Sequence, residues 1–275
     1  MNDTTNSIES YCFNPEGSAI RIVQLKMLEM IKFLDKICKD NDIPYILDGG
    51  SALGAIRHQG FIPWDDDMDI ALLEPDYKRL IKILRNLDSD KYVLQSQETD
   101  YNYINQFPKF RMKEGDYLGN FPSRSRLYKW RGPGIDIFCF QHNSYIAAKV
   151  SQIIHAKLLN WTWKIQSDKK RWFVTKTMYG IYYCCMPLFW VLNVFRKPQE
   201  YHNALGQGWC HLYIKGILSP TIQVPFEDTM LPVPSDYDVF LTSLFGDWRT
   251  PPSKEEILSH GIHTKELFTS KNSQQ

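Results

Sequence analysis

The chain has 275 residues, 43% of them hydrophobic and 23% charged, a composition that allows one sizeable core and excludes general disorder. Thirty-two Lys and Arg against 31 Asp and Glu leave a net charge of +1, which lacks the basic footprint of a duplex-binding protein and excludes nucleic acid as the expected partner.

The N-terminus, "MNDTTNSIESYCFNPEGS", has no basic region followed by an apolar run, so no secretory signal is expected. The six cysteines show no C-x-x-C spacing. Reduced thiols in a cytosol are the expectation, with Cys184 and Cys185 as packing residues. From Ile20 to Asp40, Leu25, Leu28, Ile31, Leu34 and Ile37 recur between charged residues, the pattern of an amphipathic helix that "KDNDIP" stops. "YIL" (45–47) is a short buried strand ending in Asp48-Gly49-Gly50. Ser51 is placed to cap the next helix, "ALGAIRH", whose free N–H groups face whatever lies beside the glycines.

"MDIALL" (68–73) reads as a second strand. "EPDYKRLIKILRNL" reads as a helix with Pro75 in its first turn and Tyr77, Leu80, Ile81, Leu84 and Leu87 along one side. Strands follow at "YVLQSQ" (92–97), "NQFPKFRMK" (105–113) and "GIDIFCF" (134–140). This interleaving predicts an α/β (α+β) core over 20–142, a mixed sheet with flanking helices. Residues 143–215 read as a helical region. Residues 216–268 read as a proline-rich segment around a short helix, folded back to complete the same domain.

The stretch "FIPWDDDMDI" (61–70) crowds carboxylates among residues that suggest burial. Strand alternation puts Asp67 and Asp69 on one side, with Met68 and Ile70 on the other. Carboxylates held that close repel, and an apolar surround makes it worse. A divalent cation with hard oxygen ligands, Mg²⁺ or Mn²⁺, removes the conflict. Asp136, the lone acid between Ile135 and Ile137 in "GIDIFCF", supplies a third ligand. A strand ending in Gly-Gly-Ser, a D-x-D strand and a later strand with one Asp is the arrangement of the nucleotidyltransferase fold. A solvated acidic turn is the competing reading.

The longer block "IPYILDGGSALGAIRHQGFIPWDDDMDIAL" resembles the signature of the LicD family, phosphocholine transferases related to fukutin. The likeness continues in "FPKFRMK", "GIDIF" and "PVPSDYDVFLTSLFGDWRTPP". Ser51-Ala52-Leu53-Gly54 stands where the family usually has Thr-Leu-Leu-Gly. The resemblance implies a nucleotidyltransferase-like fold with Asp67, Asp69 and Asp136 as catalytic metal ligands. It implies transfer of phosphocholine from CDP-choline to a sugar hydroxyl of a surface glycan such as a lipopolysaccharide or teichoic-acid precursor, with CMP leaving. Asp136 is then also the candidate to receive the hydroxyl proton. Other CDP-linked donors, true nucleotidyl transfer and a non-catalytic binding module are the rival readings.

Substrate contacts are expected from Gly49, Gly50, Ser51 and Asp65, with Asp65 and Asp66 tuning the metal from outside. Arg57 and His58 point either to phosphate or to solvent at a helix end. Lys109 and Arg111 share one strand face, directed either at the diphosphate or at solvent. Trp64 is either a core plug or part of a cage for a trimethylammonium group. His260 and His263 read as surface residues. Residues 178–195, "MYGIYYCCMPLFWVLNVF", carry no charge and are flanked by Lys and Arg. Three readings apply: a buried helical pair, a spanning helix, or a segment lying on the cytoplasmic face of a membrane.

Overall fold

The protein is described from a computed structural model covering residues 14–116, 126–197, 200–206, 211–214, 218–253 and 257. Helix α1 (Ala19–Asp40) starts at Ser18, whose hydroxyl accepts the Arg21 N–H. Its buried line is Val23, Met27, Met30, Leu34 and Cys38, and Leu25 is exposed. The expected seam is therefore rotated. Steps of three residues drift steadily around a helix of 3.6 residues per turn, whereas alternating steps of four and three stay on one side.

The expected α/β arrangement with a mixed sheet is present. The sheet runs β1 (Ile46–Leu47), β2 (Asp69–Leu73), β5 (Gly134–Gln141), β4 (Lys109–Met112), β3 (Tyr92–Gln95). Strands β2 and β5 are parallel, and the other pairings are antiparallel. Helices α2 (Gly49–His58) and α3 (Glu74–Arg85) follow β1 and β2 in the chain. On α3, Leu80 and Leu84 are buried, with Tyr77, Ile81 and Leu87 packed around them. Both faces of β2 and β5 are apolar over most of their length: Ile70, Ala71, Leu72, Ile135, Ile137, Phe138 and Phe140 are all in the core.

The region 143–215 is less uniform than expected. It holds α4 (Tyr145–Trp163) and α5 (Asp168–Leu192), then two strands, β6 (Glu200–Asn203) and β7 (Leu212–Ile214). Strand β6 pairs with the end of β5 through Phe140↔Asn203 and Gln141↔His202. "EYHN" has almost no apolar content, so the free edge of β5 makes it a strand, not its own propensity. Cys184 is exposed and Cys185 partly so, which corrects their reading as packing residues. Among the described residues no helix is long and apolar enough to cross a membrane, so the spanning reading of 178–195 falls.

The C-terminal segment lies against the main core through Phe226, Leu231, Val233, Phe240 and Leu241. It contains a hairpin, β8 (Thr221–Phe226) and β9 (Thr229–Pro234), before α6 (Tyr237–Phe245). The hairpin was not legible because its two-residue turn is Glu227-Asp228, without the Gly or Asn that marks such turns. Glu227 takes φ 55°, a conformation unfavourable for Glu, and contacts from elsewhere hold it there. Its N–H donates to Gln59 O at 2.7 Å. Its carboxylate receives both Arg21 Nη1 (2.8 Å) and Nη2 (2.7 Å).

This fork ties the first helix to the last hairpin with both side chains about four-fifths buried. Arg21→Ala or Glu227→Ala is expected to destabilise the protein by about 2 kcal/mol. The double variant should cost little more than either single one. Urea denaturation of the three variants checks this, and fully additive effects would show that the pair contributes nothing jointly.

Candidate active site

The turn after β1 sets the site. Asp48 caps α2, its Oδ1 accepting the Gly49 N–H at 2.9 Å. The cap is thus one turn earlier than the Ser51 cap expected from sequence. Ser51 instead lies inside the first turn, where its Oγ accepts the Asp69 N–H at 2.9 Å and fastens α2 to β2. Gly49 has φ +51°, the left-handed region, and a Cβ on it would stand 3.4 Å from Asp69 Oδ2. A Cβ on Gly50 would stand 2.7 Å from Asp65 Oδ2. The absence of side chains lets the acids close directly onto the N-terminus of α2.

Sheet register brings the other groups in. Asp69 on β2 is paired with Asp136 on β5, and Asp136 is paired with Lys109 on β4. Paired residues share a face, so Asp69, Asp136 and Lys109 form one row across three strands. Lys109 makes an ion pair with Asp136, and its Nζ sits 5.8 Å from the Phe107 ring centroid. Arg111, two residues on, is on the same face, is buried, and donates to Gly132 O. Neither side chain of the Lys109–Arg111 strand is a solvated one.

Asp67 precedes the β2 ladder and is exposed, whereas Met68 and Ile70 are fully buried. The predicted alternation therefore holds even though the strand begins at Asp69. Carboxylate oxygens of Asp65, Asp66 and Asp67 lie within 4.8 Å of one another. Burial and the neighbouring Asp67 and Asp136 push the Asp69 carboxyl well above its usual range. Burial raises Asp136 as well, opposed by Lys109, and burial lifts Asp48 to about 6. Several carboxylates that disfavour each other's charge, with one lysine among them, are the donor set a hard divalent cation fits. Asp69 and Asp136 are paired across β2 and β5, and Asp67 lies close enough to act electrostatically on Asp69. Among the described residues, however, the acids whose oxygens gather are Asp65, Asp66 and Asp67, not the expected Asp67, Asp69 and Asp136.

Other candidates fall further out. Arg57 and His58 are at the opposite end of α2, roughly 12 Å of helix from Gly49. There Arg57 Nη1 donates to Trp248 O at 3.0 Å and its Nε to His58 Nε2 at 3.0 Å. Burial and then Arg57 push His58 down to about 4. Trp64 is half-buried against the core, its ring near-perpendicular to that of His58 with centroids 6.0 Å apart. His260 and His263 lie outside the described residues. Tyr103 was not anticipated: it is fully buried, feels Asp136, and donates its hydroxyl to Phe107 O at 2.9 Å. A tyrosine in a polar loop, "TDYNYINQ", carries no pattern that would reveal this.

Residues 42–165 match the family described as LicD/FKTN/FKRP, nucleotidyltransferase domain, a span that contains Asp48, Asp65, Asp66, Asp67, Asp69 and Asp136. The chain is 25% identical over 264 residues, 88% of its own length and 96% of the relative's, to the lipopolysaccharide cholinephosphotransferase LicD of Haemophilus influenzae. It is 37% identical over 78 residues to an uncharacterised protein of Rickettsia prowazekii, 28% of this chain and 29% of that one. It is also 38% identical over 60 residues to an uncharacterised protein of Rickettsia typhi, 22% of this chain and 19% of that one.

Proposed function

We propose that the chain is a member of the LicD family, whose model matches residues 42–165, and that this transferase moves phosphocholine from CDP-choline to a hydroxyl of a lipopolysaccharide or related glycan precursor. The observation that carries the reading is the row Asp69–Asp136–Lys109 beside the Asp48-Gly49-Gly50 turn. The relative that matches along nearly its whole length is a lipopolysaccharide cholinephosphotransferase by name, which supports the head group and the acceptor class.

In this reading the acceptor oxygen attacks the phosphocholine phosphorus, the bond from that phosphorus to the bridging oxygen breaks, and CMP leaves with that oxygen. The Gly50 N–H at the start of α2 would donate to a diphosphate oxygen. Lys109 adds positive charge on the same face. Asp136 takes the acceptor proton on a carboxylate oxygen. Asp67, Asp69 and Asp136 would hold Mg²⁺ or Mn²⁺, which supplies charge neutralisation for the diphosphate when bound. Asp65, against Gly50, keeps the acid cluster in place.

The test is a panel of CDP-choline, CDP-ethanolamine and CDP-glycerol with Mg²⁺ or Mn²⁺, read by CMP release. CDP-choline is expected to give the fastest release. CMP from another donor, with none from CDP-choline, would overturn the head-group assignment. Choline phosphate appearing in place of CMP would show nucleotidyl transfer instead.

A further inference from the structure

Helices α4 and α5 form a pair whose inner face is filled by Tyr179, Tyr182 and Phe189 against Val150, Ile154 and Leu158. The opposite face of α5 is apolar and no described residue covers it. Phe173, Ile181, Leu188, Val191 and the following Phe195 are each at least 60% exposed. Their spacing of eight, seven, three and four residues keeps them on one line of the helix. A groove lined by Ile154, Leu158, Ile181 and Leu188 runs beside it. A face this apolar is not left to water without a partner.

Charge identifies the partner. Residues 145–197 carry nine Lys or Arg and a single acid, Asp168. A chain of net charge +1 therefore places a helical pair of +8 on a body of −7. Lys164, Lys169 and Lys170 are exposed at one end of the pair, and Arg196 and Lys197 at the other. The uncharged apolar line lies between them. A second copy of the chain would meet this face with the same positive charge, which disfavours self-association. An anionic bilayer surface answers both features: acyl chains for the apolar line and phosphates for the lysines at its two ends.

We infer that the outer face of the α4–α5 pair docks on an anionic lipid bilayer, with α5 lying in the headgroup plane. This places basic residues at both ends of a helix that does not cross. The inference rests on the helical pair alone and holds whichever CDP-linked donor is used.

Flotation of the full chain with vesicles tests it. The protein is expected to rise with phosphatidylcholine vesicles containing phosphatidylglycerol, to stay behind with phosphatidylcholine alone, and to detach in high salt. Leu188→Glu with Val191→Glu should lower partitioning about tenfold or more. Lys169→Glu with Lys170→Glu should do the same through charge. Circular dichroism should match wild type, because all four side chains are exposed, and Val191→Glu alone serves if the pair misfolds. Wild-type protein that never rises with anionic vesicles would overturn the inference. So would a Leu188→Glu/Val191→Glu variant that floats as well as wild type. A concentration-dependent dimer, or an acidic protein captured by this face without any vesicle binding, would assign it to protein contact instead.

Discussion

Asp136→Ala is expected to lower turnover by about a thousandfold or more while the protein stays folded, and Asp69→Ala should do the same. Asp136 is the middle member of the row that links β2, β5 and β4, so its removal separates Lys109 from the carboxylates that remain. The fold survives because the apolar side chains around it, Ile135 and Ile137, are untouched. CMP release from the donor panel measures the first effect, and circular dichroism the second. Near wild-type turnover in Asp136→Ala would sink the three-carboxylate site.

The same acids carry a pH signature in chelator. Burial and repulsion raise the folded-state Asp69 carboxyl above its unfolded value, so the folded protein holds a proton that the unfolded chain releases. That contribution is present below the unfolded carboxylate range, near pH 4, and is lost as pH rises through the folded value. Asp69→Asn should therefore melt higher than wild type at neutral pH, and the difference should vanish in acid. A variant that melts lower at neutral pH would show that Asp69 is stabilised as the anion.

The second large effect separates two glycines of one motif. Gly54→Ala should destabilise the protein by about 3 kcal/mol, because a Cβ there would stand 2.5 Å from Gly60 O and 3.3 Å from Ile62 N. Both are backbone atoms, and α2 cannot move away from them without losing the core contacts of Ala52, Leu53 and Ala55. Gly50→Ala meets only the end of the Asp65 side chain at 2.7 Å, which can swing aside. It should leave the melting temperature nearly unchanged and lower turnover about a hundredfold, since the displaced acid shifts the donor. A Gly50→Ala enzyme of normal activity would remove Asp65 and the glycine turn from the site.

The acids were legible in the chain because their signal is local. Asp67 and Asp69 against Met68 and Ile70 is a two-residue alternation, and Asp136 stands out as one charge in "GIDIFCF". Likewise the strands β2 and β5 and the helix α3 declare themselves by period alone. The Asp48 cap was misread by one turn because Asp48 and Ser51 are both good caps, and only the position of β2 decides between them: it claims the Ser51 hydroxyl for the Asp69 N–H.

The sequence by itself determined the α/β class, the order of the elements as far as β5 and the candidate carboxylates, since hydrophobic period and turn chemistry act over a few residues. Which groups stand beside those carboxylates was decided by tertiary structure. Lys109 reaches Asp136 only because β4 lies next to β5. Arg57 turns to Trp248 O because a segment about two hundred positions later packs on the end of α2. Strand β6 and the Glu227 turn likewise exist through partners far along the chain, the β5 edge and Arg21. Pairings of that range depend on how cores pack and edges meet, and no local pattern in the chain encodes them.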